Sequence, residues 1–406
     1  MRRVVSLYRR AYSGLPRQVW LLAVVILVHR SGTMVLPFLA LYLTQKLGLT
    51  AGEAGVVLAL YGLGAIAGAQ LGGWLTDRIG PLSAQTLSFF TSGAALLALG
   101  FVERRGWLEL AVMLASLTSE SHRPANASAL AAFTNPGNHF RAFALRRLAV
   151  NLGMTLGPAA GGFLAAVDYL WLFLVNGVMC LVAGLLMVWV VSRGHLRIDP
   201  PAADDGDGAD GVRPSPWRDR VYLQLMFLIT LVSILFLQLL STYPLTLREK
   251  LEHPEPVIGL IFAVNTAVIV LFEMALIELV GRFAPIRVAA LGLIAFSLGF
   301  GLLPLVGGLP ALVVTVLLWT LGEMLTLPLF EGVAASLAPK NARGAYLGLY
   351  TATFSVALVV APLVGGWVYQ DLGWKILWYG CGGLFVLLAS IFWLFASRVD
   401  PIKADR

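Results

Sequence analysis

Apolar runs of about 18 residues or more recur along the whole of this 406-residue chain, each long enough to cross a hydrocarbon layer of about 30 Å as a helix. That recurrence constrains the fold more than any motif does. Charged residues make up 13% of the chain and hydrophobic ones 58%, whereas a soluble domain carries about a quarter charged. A mean hydropathy of +0.82 is too apolar for a surface that faces water. The fold class follows: an all-α integral membrane protein.

The net charge of +7 is not a nucleic-acid signal, because Lys and Arg sit in short loops and at the ends, where orientation signals belong. Cys180 and Cys381 lie within apolar stretches and read as small packing residues, not as a disulfide or a metal site. The basic segment MRRVVSLYRRAYSGLPRQ precedes an apolar run that is longer than a signal sequence's and has no convincing cleavage site. It is expected to be retained and to lie on the anionic inner leaflet.

Twelve spans are expected. The first six lie near 18–45, 52–76, 84–102, 107–133, 141–166 and 169–193, the second six near 220–248, 256–279, 287–307, 310–337, 343–369 and 372–397. Between the halves, RGHLRIDPPAADDGDGADGVRPSPWRDR is rich in Asp, Gly and Pro. It cannot bury enough apolar surface to fold alone and reads as a flexible linker. The expected organisation is a six-helix bundle over 1–193, a cytoplasmic linker over 194–219 and a second bundle over 220–406. Arg2, Arg3, Arg9, Arg10 and Arg17, Arg78, Arg141, the linker arginines including Arg213, Arg282, Arg287, Lys340 and Arg343 fall on one side if both termini are cytoplasmic. Arg104, Arg105, Arg248 and Lys250 fall on the other, so the positive-inside rule holds on balance.

The halves are related. At an offset of 204, Gly55 meets Gly259, Arg78 meets Arg282, Pro81 meets Pro285, Pro124 meets Pro328, Pro158 meets Pro362, and Gly161-Gly162 meets Gly365-Gly366. An ordered set at one offset marks a six-span unit repeated in parallel. That is the layout of a rocking transporter with its substrate site between the halves near mid-membrane.

Span 2 ends in GGWLTDRIG, in which Gly73, Leu75, Asp77, Arg78 and Gly80 match the loop motif between spans 2 and 3 of the major facilitator superfamily. Pro81 and Leu82 stand where the family has a basic residue. The resemblance implies that Asp77 sits against the N-terminus of span 11, with Arg343 as its partner, as a gating latch; a carboxylate is favoured at a helix N-terminus. Span 5 contains NLGMTLGPAAGG, whose Gly153, Gly157, Pro158, Gly161 and Gly162 resemble the span 5 signature of the family's proton-coupled exporters. Small residues at spacing four also let helices approach closely. Gly64, Gly68 and Gly72 in GLGAIAGAQLGG read the same way, as a helix-packing face and not a phosphate loop. Nearly the whole chain looks most like the bacterial twelve-span drug–proton antiporters.

In that family's fold, spans 1, 4, 7 and 10 line the central cavity. Those spans hold Arg30, the trio Glu120, His122 and Arg123, and Glu323. A charge at a helix centre costs about 2.5–3.5 kcal/mol even on a lenient scale, so these residues must face protein or a wet cavity. Glu120 and Arg123 are three apart and can pair. His122 points away from Glu120 by roughly 160° and is expected to serve packing. Pro124 is expected to kink the helix just past Arg123. Glu323 lies one residue from the repeat counterpart of Glu120, which places the two acids opposite each other across the cavity. One acid, Glu120 or Glu323, is expected to carry the proton, with Arg30 and Arg123 as movable counter-charges or anion-binding groups. Arg146 and Arg147 in span 5 read as reaching the interface, and Trp107, Tyr169 and Trp374 as interfacial anchors.

The sequence thus leads to a secondary active transporter, a proton-coupled exporter of small amphipathic molecules or drugs, monomeric in the inner membrane. Its partners are substrate, protons and lipid; no nucleic acid, cofactor or metal is expected. The alternatives are a proton-coupled carrier of a zwitterionic metabolite or dipeptide and, from another class, a non-transporting receptor or sensor. No catalytic constellation marks an enzyme.

Overall fold

The structure, a computed structural model, describes residues 14–134, 138–198, 215–339 and 342–404. Arg2, Arg3, Arg9 and Arg10, the middle of the linker with Arg213, and Lys340 lie outside the described residues. Among the described residues every regular element is a helix. The first half forms α1 (Arg17–Ser31), α2 (Val35–Leu41), α3 (Ala51–Ile79), α4 (Pro81–Leu99), α5 (Trp107–Glu120), α6 (His122–Ala132), α7 (His139–Val167) and α8 (Leu170–Ser192). The second forms α9 (Arg220–Phe236), α10 (Thr242–Leu245), α11 (Glu255–Val280), α12 (Pro285–Gly301), α13 (Leu309–Leu337), α14 (Arg343–Trp367) and α15 (Trp374–Ala404).

Eleven stretches among the described residues are long and apolar enough to cross a membrane. The remaining expected span, 107–133, is divided at Ser121 into α5 and α6. The interruption falls before Arg123, not after it as the sequence led us to expect. The cause is directional: proline has no N–H to offer the carbonyl four residues earlier, here that of Glu120, and its ring crowds that carbonyl. The disturbance from Pro124 therefore appears one turn upstream. Large apolar side chains, among them Trp20, Phe163, Trp189, Phe227, Leu271 and Trp393, stand exposed on the spanning helices, a surface suited to lipid chains and not to water.

The chain divides into two compact units. One comprises residues 1–49, 57–200 and 252–270; the other comprises 50–56, 201–251 and 271–406. In the first, α1 packs on α7, and α4 packs on α8 and α5. In the second, α9 packs on α14, and α12 packs on α15 and α13. These are the same pairs one repeat later.

The repeat reaches down to single glycines. In the first unit Gly259 rests on the Pro158 carbonyl and Gly162, while Gly162 itself rests on the Glu255 carbonyl. In the second unit Gly55 rests on the Pro362 carbonyl, and Gly366 on that of Ala51. Each contact maps onto its mate at the offset of 204 read from the sequence. Gly64, Gly68 and Gly72 line α3 against the main chain at Met113, Leu117 and Ser121, the packing face their spacing predicts. Gly80, at φ +80°, stops α3 in a conformation that favours glycine, and Pro81 opens α4.

The ends of the expected linker are built in. Leu196 is buried in the core of the first unit, and the Asp219 carboxylate accepts the Tyr222 N–H at 3.0 Å, capping α9. Cys180 and Cys381 are buried free thiols.

Candidate functional site

The first unit gathers its polar side chains around two helix breaks. Span 1 is interrupted between α1 and α2, at Gly32–Met34. The freed N–H groups of Met34 and Val35 both donate to the Oδ1 of buried Asn176 on α8, at 3.3 and 3.4 Å. Gly153, Gly157 and Gly161 of α7 clear the space for this break, since a Cβ at each would meet Arg30, the Thr33 carbonyl and Met34 respectively. The exporter-like glycine signature therefore packs against span 1 through three of its glycines and against the start of α11 through Gly162. Asn176→Ala is expected to lower stability by about 1–3 kcal/mol, the cost of leaving buried donors unmet. Thermal unfolding in detergent reads it, and an unchanged midpoint shows that Asn176 does not hold the break.

The second break, at Ser121, presents the charges. Arg123 Nη1 donates to Glu120 Oε2 at 2.8 Å. The Glu120 side chain is 13% exposed and that of Arg123 54%, so the acid is covered and its partner is open. Arg30 on α1 and the Tyr61 phenol on α3 stand within electrostatic reach of both. The buried Nε of Arg30 has no hydrogen-bond partner. Two guanidiniums thus stand near one carboxylate, Arg123 bonded to it across the break at Ser121 and Arg30 approaching from α1. Such a carboxyl can hold or release a proton as its cationic partners approach or recede.

His122 turns away from Glu120, as the helix angle predicts. Its Nδ1 lies 2.6 Å from the Ser119 carbonyl, and its ring meets His29 at 4.5 Å and Phe89 at 5.5 Å between centroids. Beyond it, Ser121 donates to Ser88, and Ser92 bonds Ser119, both at 2.7 Å. Arg146 does not reach the interface: its Nε donates to the Oδ1 of buried Asn126 at 2.7 Å, because a lone guanidinium inside a bundle gains more from a fixed acceptor than from stretching. Tyr169 is likewise no interfacial anchor. It is buried, and its hydroxyl donates to Glu255 Oε1 at 3.0 Å. Trp107 is exposed, in keeping with an anchor.

The other candidate residues are placed as follows. Glu323 is half-buried on α13 in the second unit. Asp77 and Arg78 are exposed at the end of α3, and the Arg78 guanidinium lies over the Trp74 ring at 4.6 Å. Gly73 has open space where a Cβ would stand. Arg343 is the first residue of α14; its side chain lies outside the described residues. Among the described residues no group of three or more His, Cys, Asp or Glu is placed to hold a metal. Sequence reading overlooked His29 and Asn176. For Asn176 the available signal was a single polar residue in an apolar span; for His29 it was the place next to Arg30 in span 1.

The sequence profile of the Major Facilitator Superfamily matches residues 21–254 and 225–405. An uncharacterized MFS-type transporter, YqjV of Bacillus subtilis, is 25% identical over 352 residues, covering 86% of this chain and 85% of that one. The multidrug resistance protein MdtH of Aeromonas hydrophila is 23% identical over 336 residues, covering 81% and 82%. The crystal structure of a peptide transporter POT in complex with sulfate superposes with a TM-score of 0.78 at 18% identity, covering 96% of each chain. At that identity the likeness concerns the fold alone.

Proposed function

The chain belongs to the major facilitator superfamily, and from that membership we propose that this membrane transporter is a proton-coupled exporter of small amphipathic molecules. The observation that carries the reading is the Glu120–Arg123 pair at 2.8 Å beside Arg30, set at a break in a membrane helix. A buried ion cluster is a costly way to fill a bundle. Its use is to let a proton on Glu120 trade with the Glu120–Arg contacts as access alternates. Glu323 is the second candidate carrier, and Asp77 with Arg343 the candidate latch. The glycine signature of α7 and the resemblance to a multidrug resistance protein support export, with both termini cytoplasmic and the protein acting as a monomer in the inner membrane.

A second reading has its own observation. Arg30 offers a buried Nε with no partner, and two guanidiniums against one carboxylate leave a net positive site. That suits the acidic end of a zwitterion better than a greasy cation. The test is transport in proteoliposomes under an imposed pH gradient, with dyes, antibiotics and dipeptides as probes. Export driven by inward protons is expected for the amphipathic set. Movement of dipeptides alone favours the second reading, and no coupled flux with any compound overturns both.

A further inference from the structure

The two helix breaks of the first unit are joined by side chains that the transport scheme leaves unused. From the break in span 1, the Met34 and Val35 N–H groups donate to Asn176 Oδ1 on α8 at 3.3 and 3.4 Å. The other arm of that amide, Nδ2, donates to the Sγ of Cys180, one turn on, at 3.7 Å. Cys180 Sγ meets Ser92 Oγ of α4, also at 3.7 Å, and Ser92 Oγ meets Ser119 Oγ of α5 at 2.7 Å. A thiol is a weak partner in both directions, yet Asn176, Cys180 and Ser92 are all buried, out of reach of competing water. Ser119 is the residue before Glu120, and its carbonyl holds His122 Nδ1 across the break at 2.6 Å. Ser121, at the break itself, donates to Ser88 of α4 at 2.7 Å. Every link from the span 1 main chain to the charge-bearing break is thus a hydrogen bond.

Packing does not require this chain of bonds. The repeat counterparts of Asn176, Cys180, Ser92 and Ser119, 204 residues on, are Gly380, Leu384, Phe296 and Glu323. Phe296 instead stacks on Phe385, with ring centroids 5.1 Å apart. In the second unit Gln238, just past α9, bonds directly to the Ala361 carbonyl of α14 at 2.9 Å, with no thiol or serine between.

We propose that Asn176, Cys180, Ser92 and Ser119 tie the two breaks together and act as positioning residues for Glu120. A shift of span 1 at Met34 pulls on Asn176, and the bonds carry it through α8 and α4 to the turn that holds Glu120. The reverse holds by linkage: what loosens the α5–α6 break loosens span 1 by the same free energy. Buried hydrogen bonds in series support one another, because each polarises the next. The bearing of the tie on coupling rests on the exporter reading, but its existence does not.

The test needs no cargo. Hydrogen–deuterium exchange, read by mass spectrometry on the protein in lipid nanodiscs, follows the amides of Met34 and Val35 and those of Ser121 to Arg123. Cys180→Ala is expected to speed exchange at Met34 and Val35 by about two- to tenfold, the effect of losing one hydrogen bond. Cys381→Ala makes the same change at the buried thiol of the second unit. It controls for general loosening and should leave both amides unmoved. Ser92→Ala, a link further away, should act as Cys180→Ala does, and Asn176→Ala should speed exchange at Ser121 to Arg123. Exchange at Met34 and Val35 no faster in Cys180→Ala than in Cys381→Ala overturns the proposal. Unchanged exchange at Ser121 to Arg123 in Asn176→Ala overturns it as well. If Cys180→Ala does not fold, Ser92→Ala stands in for it against the same control, with the same two outcomes. These amides are read whether or not any compound moves, so a failure here leaves the transport assay free to succeed, and the reverse.

Discussion

A leucine in place of Gly72 is expected to prevent the first unit from assembling, whereas alanine at the adjacent Gly73 leaves it intact. The two glycines are neighbours on α3, and what separates them is what a side chain would meet. At Gly72 a Cβ would run into the main chain of Ser121; at Gly73 nothing lies within 4 Å. Main chain cannot swing aside as the end of a side chain does. Even alanine at Gly72 is expected to cost about 1–3 kcal/mol by overpacking, and leucine adds three carbons with no space to enter. In a bilayer the loss is not offset elsewhere, because helix association there depends on close packing and not on exclusion of water. Gly68, against Leu117, is expected to behave as Gly72 does. The measurement is the yield of monodisperse protein and its thermal midpoint in detergent. Monodisperse Gly72→Leu with an unshifted midpoint means that α3 and α5 do not approach this closely.

That contrast shows what a sequence of this kind reveals. The glycine period of α3 could be read directly because close approach leaves a repeating mark on composition. The internal repeat was equally plain, since glycines and prolines are constrained by backbone geometry and stay in register where larger residues drift. The mating of Gly259 with Pro158, and of Gly55 with Pro362, could not be read. Each of these residues has a repeat mate in the sequence, but their contacts join helices distant in sequence.

The charges followed a different rule. Arg30, Glu120 and Arg123 correspond at the offset to Ile234, Met324 and Leu327, so the repeat lapses where the chemistry sits. The Glu120–Arg123 pair was legible because residues three apart share a helix face, and the pair survives the break at Ser121. The kink was misplaced by three residues because the reading followed the proline and not the carbonyl it leaves unbonded. The partnership of His122 with His29 was invisible, since it depends on how α1 lies against α6. Arg146 misled because a long cationic side chain near a helix end usually snorkels; only the position of Asn126 shows that it turns inward.

Glu120→Gln is expected to abolish gradient-driven transport while leaving binding of the transported probe measurable. Glutamine keeps the shape of the side chain and an oxygen for Arg123, but it cannot exchange a proton. A difference of one pH unit is worth about 1.4 kcal/mol per proton, or about tenfold in concentration. With one proton per cargo, wild-type protein in proteoliposomes should therefore drive the active probe about tenfold against its gradient for each pH unit, and the variant should not drive it at all. The variant also leaves Arg30 and Arg123 without their counter-charge, and breaking a buried pair from one side costs about 3–5 kcal/mol. A loss of transport could then reflect a loss of fold. Glu120→Gln combined with Arg123→Gln removes one charge of each sign and separates the two causes: it should recover part of the thermal midpoint, since Arg30 still lacks its counter-charge, and remain uncoupled. If Glu120→Gln still concentrates the probe in proportion to the pH gradient, Glu120 is not the carrier and Glu323 is next. If the double variant with Glu323→Gln also keeps that proportionality, neither acid carries the proton, and the cluster at the α5–α6 break serves the cargo or the packing instead.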